Sequence, residues 1–275
     1  MSTPTLRDRA KGALDRAGLL SAAQVVHGSL RTFTPAAVPR EVRALVSGAP
    51  DGLPVPPARL VWLVIGHGWR SVYLESGRQV ADGIVANLER HGYPWGGFTS
   101  VLDFGCGCGR ILRHLLARGG PRMHGSDYNA RLVAWCQAHL RGAEFRVNGL
   151  APPLPWPDGS FDLVYAQSVF THLDGDLQRR WMDEMARVLR PGGILHATTQ
   201  GDAFLPALAG ADLARYRAGD LVVLAPDAVG RNICGAFQTP EQVRREMARG
   251  WDVAGHVPGT PTVHAEQDAW LFRKP

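Results

Sequence analysis

The sequence predicts an α/β fold: an open, mostly parallel sheet with helices on both faces, preceded by a helical N-terminal extension. Three observations carry this. Residues 100–116 pass from a short apolar run through a glycine-rich loop into a helical pattern. Strand-like runs then alternate with helical patterns as far as residue 199, the alternation that crossover units produce. Two more strand-like runs, 252–257 and 268–273, follow.

Composition sets the limits. A chain of 275 residues with 45% hydrophobic content buries a full core as one large domain, or as one domain with an extension. There is no internal repeat. The longest apolar run, Leu60 to Ile65, is too short to cross a bilayer, and the first thirty residues lack the apolar segment of a secretory signal. A cytoplasmic protein without a membrane partner is expected. Four unevenly spaced cysteines (Cys106, Cys108, Cys136, Cys234) point to reduced thiols, and no second pair accompanies Cys106 and Cys108 to hold zinc, so no metal is expected. The net charge of +5 is arginine spread thinly, with Arg179-Arg180 and Arg244-Arg245 both on predicted helices. No aromatic-interleaved basic patch accompanies them, which argues against a nucleic-acid partner.

The elements follow in order. Residues 5–31 are helically patterned until Pro35 and Pro39, and Ala49 to Pro57 is proline-dense enough to be a linker. Trp69 to His91 is a long helix with Val80, Ile84 and Leu88 on one face, ended by Gly92 and Pro94. A boundary is placed at 95/96. The apolar run Ser100 to Leu102 is a central strand, and Ile111, Leu112, Leu115 and Leu116 open the helix beyond the glycines. Between them Gly105, Gly107 and Gly109 remove three Cβ atoms, so main-chain amides can approach a nucleotide-like ligand. A dinucleotide fingerprint would need glycine at Arg110, which counts against NAD.

Arg122 to Asp127 is a second strand. A carboxylate at its tip, about twenty residues beyond the glycines, is placed to bind both ribose hydroxyls of an adenosine; the alternative is that Asp127 caps the helix over 129–141. Tyr128 would then lie against the adenine. Glu144 to Val147 is the third strand, followed by Asn148-Gly149, a dipeptide that also forms a turn needing no ligand. Ser160 to Ala166 is the fourth strand and delivers Gln167-Ser168-Val169-Phe170-Thr171-His172-Leu173 at its carboxyl end, where open α/β sheets bind ligands. Leu177, Trp181, Met185 and Val188 mark an amphipathic helix, and Ile194 to Thr199 the fifth strand. Residues 201–235 show only patchy periodicity. Thr239-Pro240-Glu241-Gln242 starts a helix that runs to Arg249, ahead of the two final strands.

The run Asp103 to Arg110, with its acid two positions before the first glycine, resembles the first motif of the class I S-adenosylmethionine (SAM)-dependent methyltransferases. Phe161 to Leu173 resembles the fourth-strand motif of the small-molecule, type 11/25-like members, and Leu189-Arg190-Pro191-Gly192-Gly193 the turn before their fifth strand. Together the resemblances span residues 98–200. They imply a Rossmann-like class I methyltransferase fold with a seven-stranded sheet whose last strand is antiparallel, and they imply SAM as cofactor with S-adenosylhomocysteine (SAH) as product. On the same grounds Asp103, Gly105, Cys106 and Gly107 would wrap the methionine half, and Asn148 with Gly149 would meet the adenine amino group. Gln167 and Ser168 would complete the cofactor site beside Asp127 and Tyr128. Residues 1–95 would cover the acceptor site and 96–275 would form the SAM-binding domain. Trp69 and Tyr73 from the cover, with Gln200 and Tyr216 after the fifth strand, are the acceptor-site candidates, although aromatics at helical spacing also serve as core.

Methyl transfer from a sulfonium needs alignment and exclusion of water. Where the acceptor must lose a proton, His172 is the candidate base, with the alternative that it orients a loop; Gln200, His264 and Glu266 are lesser candidates. The Asn/Asp-Pro-Pro-Tyr/Phe signature of many base and amine N-methyltransferases is replaced by Ala166-Gln167-Ser168-Val169. The expected partner is therefore a small organic acceptor, such as a sugar, a secondary metabolite or a modified peptide, methylated on O or N, with C the less favoured alternative. Two alternatives predict different ligands: a protein of this fold that binds SAM without methylating, and an NAD-dependent enzyme. The oligomeric state is left open, an oligomer included.

Overall fold

The computed structural model of the chain describes residues 38–46, 48–261 and 266–275. The helical patterning over 5–31 and the candidate base His264 lie outside the described residues. The chain divides into two compact units at Gln79/Val80, earlier than the boundary expected at 95/96 and inside a helix.

The first unit holds α1 (Val38–Val46), α2 (Ala58–Ile65) and the start of α3 (Arg70–Arg90). Leu60 and Val61 are the buried residues of α2, which stops at Gly66 in a left-handed conformation. Glu41 on α1 accepts the amides of Arg70 at 3.1 Å and Ser71 at 2.9 Å, so a carboxylate distant in sequence caps α3. Residues 48–57 hold no helix or strand, as their prolines predict.

The second unit continues from α3 through β1 (Ser100–Phe104), α4 (Leu112–Arg118), β2 (Arg122–Asp127), α5 (Ala130–His139), β3 (Ala143–Val147) and β4 (Phe161–Ala166). Next come α6 (Gly175–Val188), β5 (Leu189–Thr199), α7 (Gly210–Arg217), β6 (Val222–Leu224) and β7 (Gly235–Phe237). The last elements are α8 (Pro240–Glu246), β8 (Asp252–Val257) and β9 (Asp268–Arg273). Seven strands form one sheet in the order β3-β2-β1-β4-β5-β9-β8. The first five run parallel, and β9 is antiparallel to both β5 and β8. Strand order reverses at β1, with β2 on one side and β4 on the other, and the crevice above the carboxyl ends of β1 and β4 is the topological switch point.

Every residue of β1 and β4 is buried, which is why both are largely apolar apart from Ser100, Asp103 and Asp162. One face of the sheet presents Leu102, Phe104, Val164, Ala166, Leu195, Ala197, Trp270 and Phe272 to Trp181, Met182, Met185 and Val188 of α6. At the opposite end from the crevice, Asp162 accepts the amides of Thr99 and Ser100 at 2.8 and 3.0 Å and the Thr99 hydroxyl at 2.7 Å, locking the starts of β1 and β4 together.

Two features had no clear sequence signal. Within 201–235 the chain forms α7 and a two-stranded antiparallel hairpin, β6–β7, over a satellite core of Leu208, Tyr216, Val222 and Phe237. Strands three residues long are below the length at which period-two patterning is readable. The helix starting at Thr239 ends at Glu246 rather than Arg249; its Thr239 hydroxyl accepts the Gln242 amide, as the capping sequence predicts.

Candidate active site

The glycine loop connects β1 to α4 directly above the switch point. Its first amides turn inward: Gly105 and Cys106 donate to the Ser126 carbonyl at 2.8 and 2.9 Å, and Gly107 donates to Asp127 Oδ2 at 2.9 Å. These three amides brace the loop against the end of β2, so the expectation that they lie bare toward a ligand needs this correction. Glycine is required at 109 for packing as well, since with φ at +79° a Cβ there would stand 2.2 Å from Leu140 Cδ1 on the chain leaving α5. Beneath the loop the thiols of Cys106 and Cys136 share the Gly107 carbonyl, at 3.6 and 3.5 Å. All four cysteines are free and buried.

Asp127 closes the tip of β2. Its Oδ1 accepts the Asn129 amide at 2.8 Å, while Asn129 itself caps α5 by accepting the Arg131 amide. The capping alternative for Asp127 thus passes to Asn129. Burial pushes the Asp127 carboxyl above its ordinary value, and the two amide bonds oppose that shift. Tyr128, half exposed, extends its ring from this tip and donates its hydroxyl to the Gly230 carbonyl at 2.7 Å. The Asn148 amide donates to the Asp127 carbonyl at 3.2 Å, which brings the end of β3 to the same place. Its side-chain Nδ2 donates to Gly149 O, and its buried Oδ1 has no hydrogen-bond partner.

Asp103, Tyr165 and His196 are register partners on β1, β4 and β5, so they share the sheet face away from α6. All three are buried. Burial pushes the Asp103 carboxyl up to about 7, with the Tyr165 hydroxyl and the Arg110 cation pulling the other way. Burial also pulls His196 down to about 4, leaving it neutral. Asp103 Oδ2 has no hydrogen-bond partner. A buried carboxylate oxygen without a donor is costly, and a cationic donor relieves that cost.

Beyond β4 the chain turns through Ser168, held at φ +61°, a left-handed conformation for a non-glycine residue. A closed set of bonds enforces it. The Ser168 amide donates to Thr198 Oγ1 at 2.8 Å, Thr198 Oγ1 donates to Gln267 Oε1 at 2.6 Å, and Gln267 Nε2 donates to Ser168 Oγ at 2.7 Å. Gln167 joins through its Nε2, 3.5 Å from Gln267 Oε1. His172 follows in a single 3-10 turn, its Nδ1 2.6 Å from the Cys234 carbonyl. A carbonyl only accepts, so Nδ1 carries the proton and Nε2 is the basic nitrogen. Burial lowers the His172 pKa, and the Cys234 bond partly offsets this.

The remaining candidates lie elsewhere. Gln200 at the end of β5 accepts the Gln238 amide on its carbonyl, and its Oε1 is without a partner. Tyr216 is buried in the satellite core with its hydroxyl donated to Asp202 at 2.8 Å, so both ring and hydroxyl are already committed. Trp69 and Tyr73 belong to the first unit, where Trp69 is half buried and Tyr73 fully so. Glu266, beside the second half of the network, bonds Thr260. Gln267 and Thr198 were missed by sequence reasoning, because only the fold brings them beside Ser168. Among the described residues no cluster of metal-ligating side chains occurs, and no helix is long and apolar enough to cross a membrane.

Known proteins are similar to this chain in sequence and in fold. Residues 102–197 match the family described as methyltransferase domain. A probable SAM-dependent methyltransferase of Mycolicibacterium smegmatis is 38% identical over 99 residues, covering 36% of this chain and 37% of that protein. A malonyl-[acyl-carrier protein] O-methyltransferase of Enterobacter lignolyticus is 33% identical over 131 residues, covering 48% of this chain and 49% of its own length. The chain thus spans between about a third and a half of the length of these two relatives. In fold it is similar to the crystal structure of a SAM-dependent methyltransferase from Mesorhizobium loti, with a TM-score of 0.53 and 20% identity over 70% of this chain and 100% of that one. Residues 102–197 thus match a methyltransferase domain, and the relatives and the fold to which the chain is similar are those of SAM-dependent methyltransferases.

Proposed function

We propose that the chain transfers a methyl group from SAM to an oxygen or nitrogen of a small organic acceptor, such as a sugar, a secondary metabolite or a modified peptide. The observation that carries this reading is the donor-less Asp103 Oδ2 at the switch point, beside a loop tied to the Asp127 carboxylate. SAM offers what the site lacks: an ammonium donor for Asp103, ribose hydroxyls for Asp127, and an exocyclic amine for the buried Asn148 Oδ1. When bound, SAM supplies an electrophilic methyl on a sulfonium.

The chain's own part is alignment and proton removal. Gly105 to Gly107 fix the loop through Ser126 and Asp127, and Tyr128 offers a ring face to adenine. Ser168, locked by Thr198 and Gln267, sets the direction of the chain that carries His172. His172, neutral because of burial and tautomerically fixed by Cys234, accepts the acceptor's proton on Nε2. Gln200, with its unsatisfied Oε1, is the acceptor-site residue best able to bond a hydroxyl or amine donor. A cytoplasmic setting fits reduced, buried thiols.

Calorimetry with SAM and with SAH tests the cofactor half, with micromolar binding of both expected; no heat from either would end the proposal. Mass spectrometry of a metabolite pool incubated with the protein and methyl-labelled SAM identifies the acceptor.

A further inference from the structure

The connection from β6 to β7 crosses back over the carboxyl edge of the sheet and meets three separate loops. The Gly230 carbonyl accepts the Tyr128 hydroxyl at 2.7 Å, at the end of β2. The Gly230 amide donates to the His172 carbonyl at 2.8 Å, beyond β4. The Cys234 carbonyl accepts His172 Nδ1–H at 2.6 Å. Gly230 also packs on Leu150, two residues past Asn148; with φ at +82°, a Cβ on Gly230 would stand 2.4 Å from Leu150 Cδ1. The segment starts at Ala225, which shares with Ser168 a left-handed backbone that no other non-glycine residue among those described adopts. Within it the Ala228, Arg231 and Cys234 amides close short turns at 2.9 Å, Ala228 and Cys234 are buried, and Ile233 at its outer side is 71% exposed.

We propose that residues 225–234 are a strap that closes the cofactor site, and that Gly230 is the positioning residue joining Tyr128 to the His172 base. The proposal rests on the reading of this edge as a SAM site. A ring of Tyr128 held against adenine keeps its hydroxyl on Gly230; the strap then stays down, and Cys234 keeps His172 Nδ1 protonated with Nε2 directed as base. The segment's bonds to the loops beyond β2 and β4 run through Gly230 and Cys234, and in this proposal they open together to let the cofactor exchange. Cofactor retention and orientation of the base are therefore one closure.

The test uses the full chain with SAH as probe, reading amide hydrogen exchange over 225–234 together with SAH affinity and dissociation rate. In the wild type SAH slows strap exchange by about ten-fold or more. Tyr128→Phe keeps the ring and removes one hydrogen bond; it weakens SAH by about five-fold, speeds its release, and loses most of the strap protection. Its ligand-free melting temperature stays at the wild-type value. Gly230→Ala acts in the same direction, and adding Leu150→Ala restores part of the affinity by making room for the new methyl. SAH bound by the wild type without strap protection, or bound by Tyr128→Phe with wild-type affinity and release, overturns the strap while leaving the SAM site standing. A Tyr128→Phe loss that tracks a fall in ligand-free melting overturns it too, as a mere fold defect. A wild type that does not bind SAH overturns the parent reading and the strap with it.

Discussion

Asp127 accepts the Gly107 amide at 2.9 Å across twenty residues of sequence, so the tip of β2 and the middle of the glycine loop move as one body. A ligand group held by Asp127 is thereby registered against the loop. Asp127→Ala strands two amides, Gly107 and Asn129, in a buried place. The expected result is a loss of about 2 kcal/mol of stability in denaturant melts and a ten-fold or greater weakening of SAH by calorimetry.

Asp103 makes binding depend on pH. Its carboxyl stands at about 7 in the folded chain, against an ordinary value of 3.8, so folding takes up a proton between those limits. Without ligand, stability therefore falls as pH rises from about 4 to about 7, by on the order of a few kcal/mol, and levels off above. Asp103→Asn removes that slope. For a ligand that brings an ammonium to Asp103 the sign reverses: SAH affinity is full above pH 7 and declines as the pH drops below it. Melting curves and calorimetry across this range check both limbs.

His172 is neutral and singly protonated on Nδ1, and burial keeps its pKa below 6.5. Turnover is expected to be flat through neutral pH, with its acid limb below 6.5 as Nε2 takes up a proton. His172→Phe should lower kcat by about two to four orders of magnitude while SAH still binds. Steady-state rates on the identified acceptor give both quantities.

Thr198 holds Ser168 in its strained turn from the neighbouring strand. Thr198→Val keeps the shape and leaves the Ser168 amide and the Gln267 amide oxygen each short of a partner, at an expected cost of about 1–3 kcal/mol. Ser168→Gly relieves the left-handed strain, worth about 1 kcal/mol, and gives up the Oγ bond. Melting both variants and the pair in a double-mutant cycle shows whether the two residues act as one unit.

Much of the frame was legible because each piece is local. Glycines at 105, 107 and 109 between an apolar run and a helical pattern fix a strand-turn-helix, and Asp127 lies at the distance a second strand tip must have. The paired final strands were readable from their apolar runs. What could not be read is made by contacts distant in sequence. Gln267 reaches Ser168 across 99 residues, and His172 meets Cys234 across 62. The inward turn of the loop amides was hidden for the same reason, since a glycine pattern does not say whether its N–H groups face a ligand or the Ser126 carbonyl. Tyr216 looked like an acceptor-site aromatic because the hairpin that buries it has strands too short to announce themselves.

The seating of β9 between β5 and β8 fixes the timetable of assembly on the ribosome. Residues 100–199 can pair among themselves as they emerge, yet β5 keeps an open margin and β8 has nothing to join until residues 268–273 arrive. Throughout that interval the nascent chain carries an unsatisfied row of main-chain groups along Ile194–Thr199, a place where a chaperone or another nascent chain can dock.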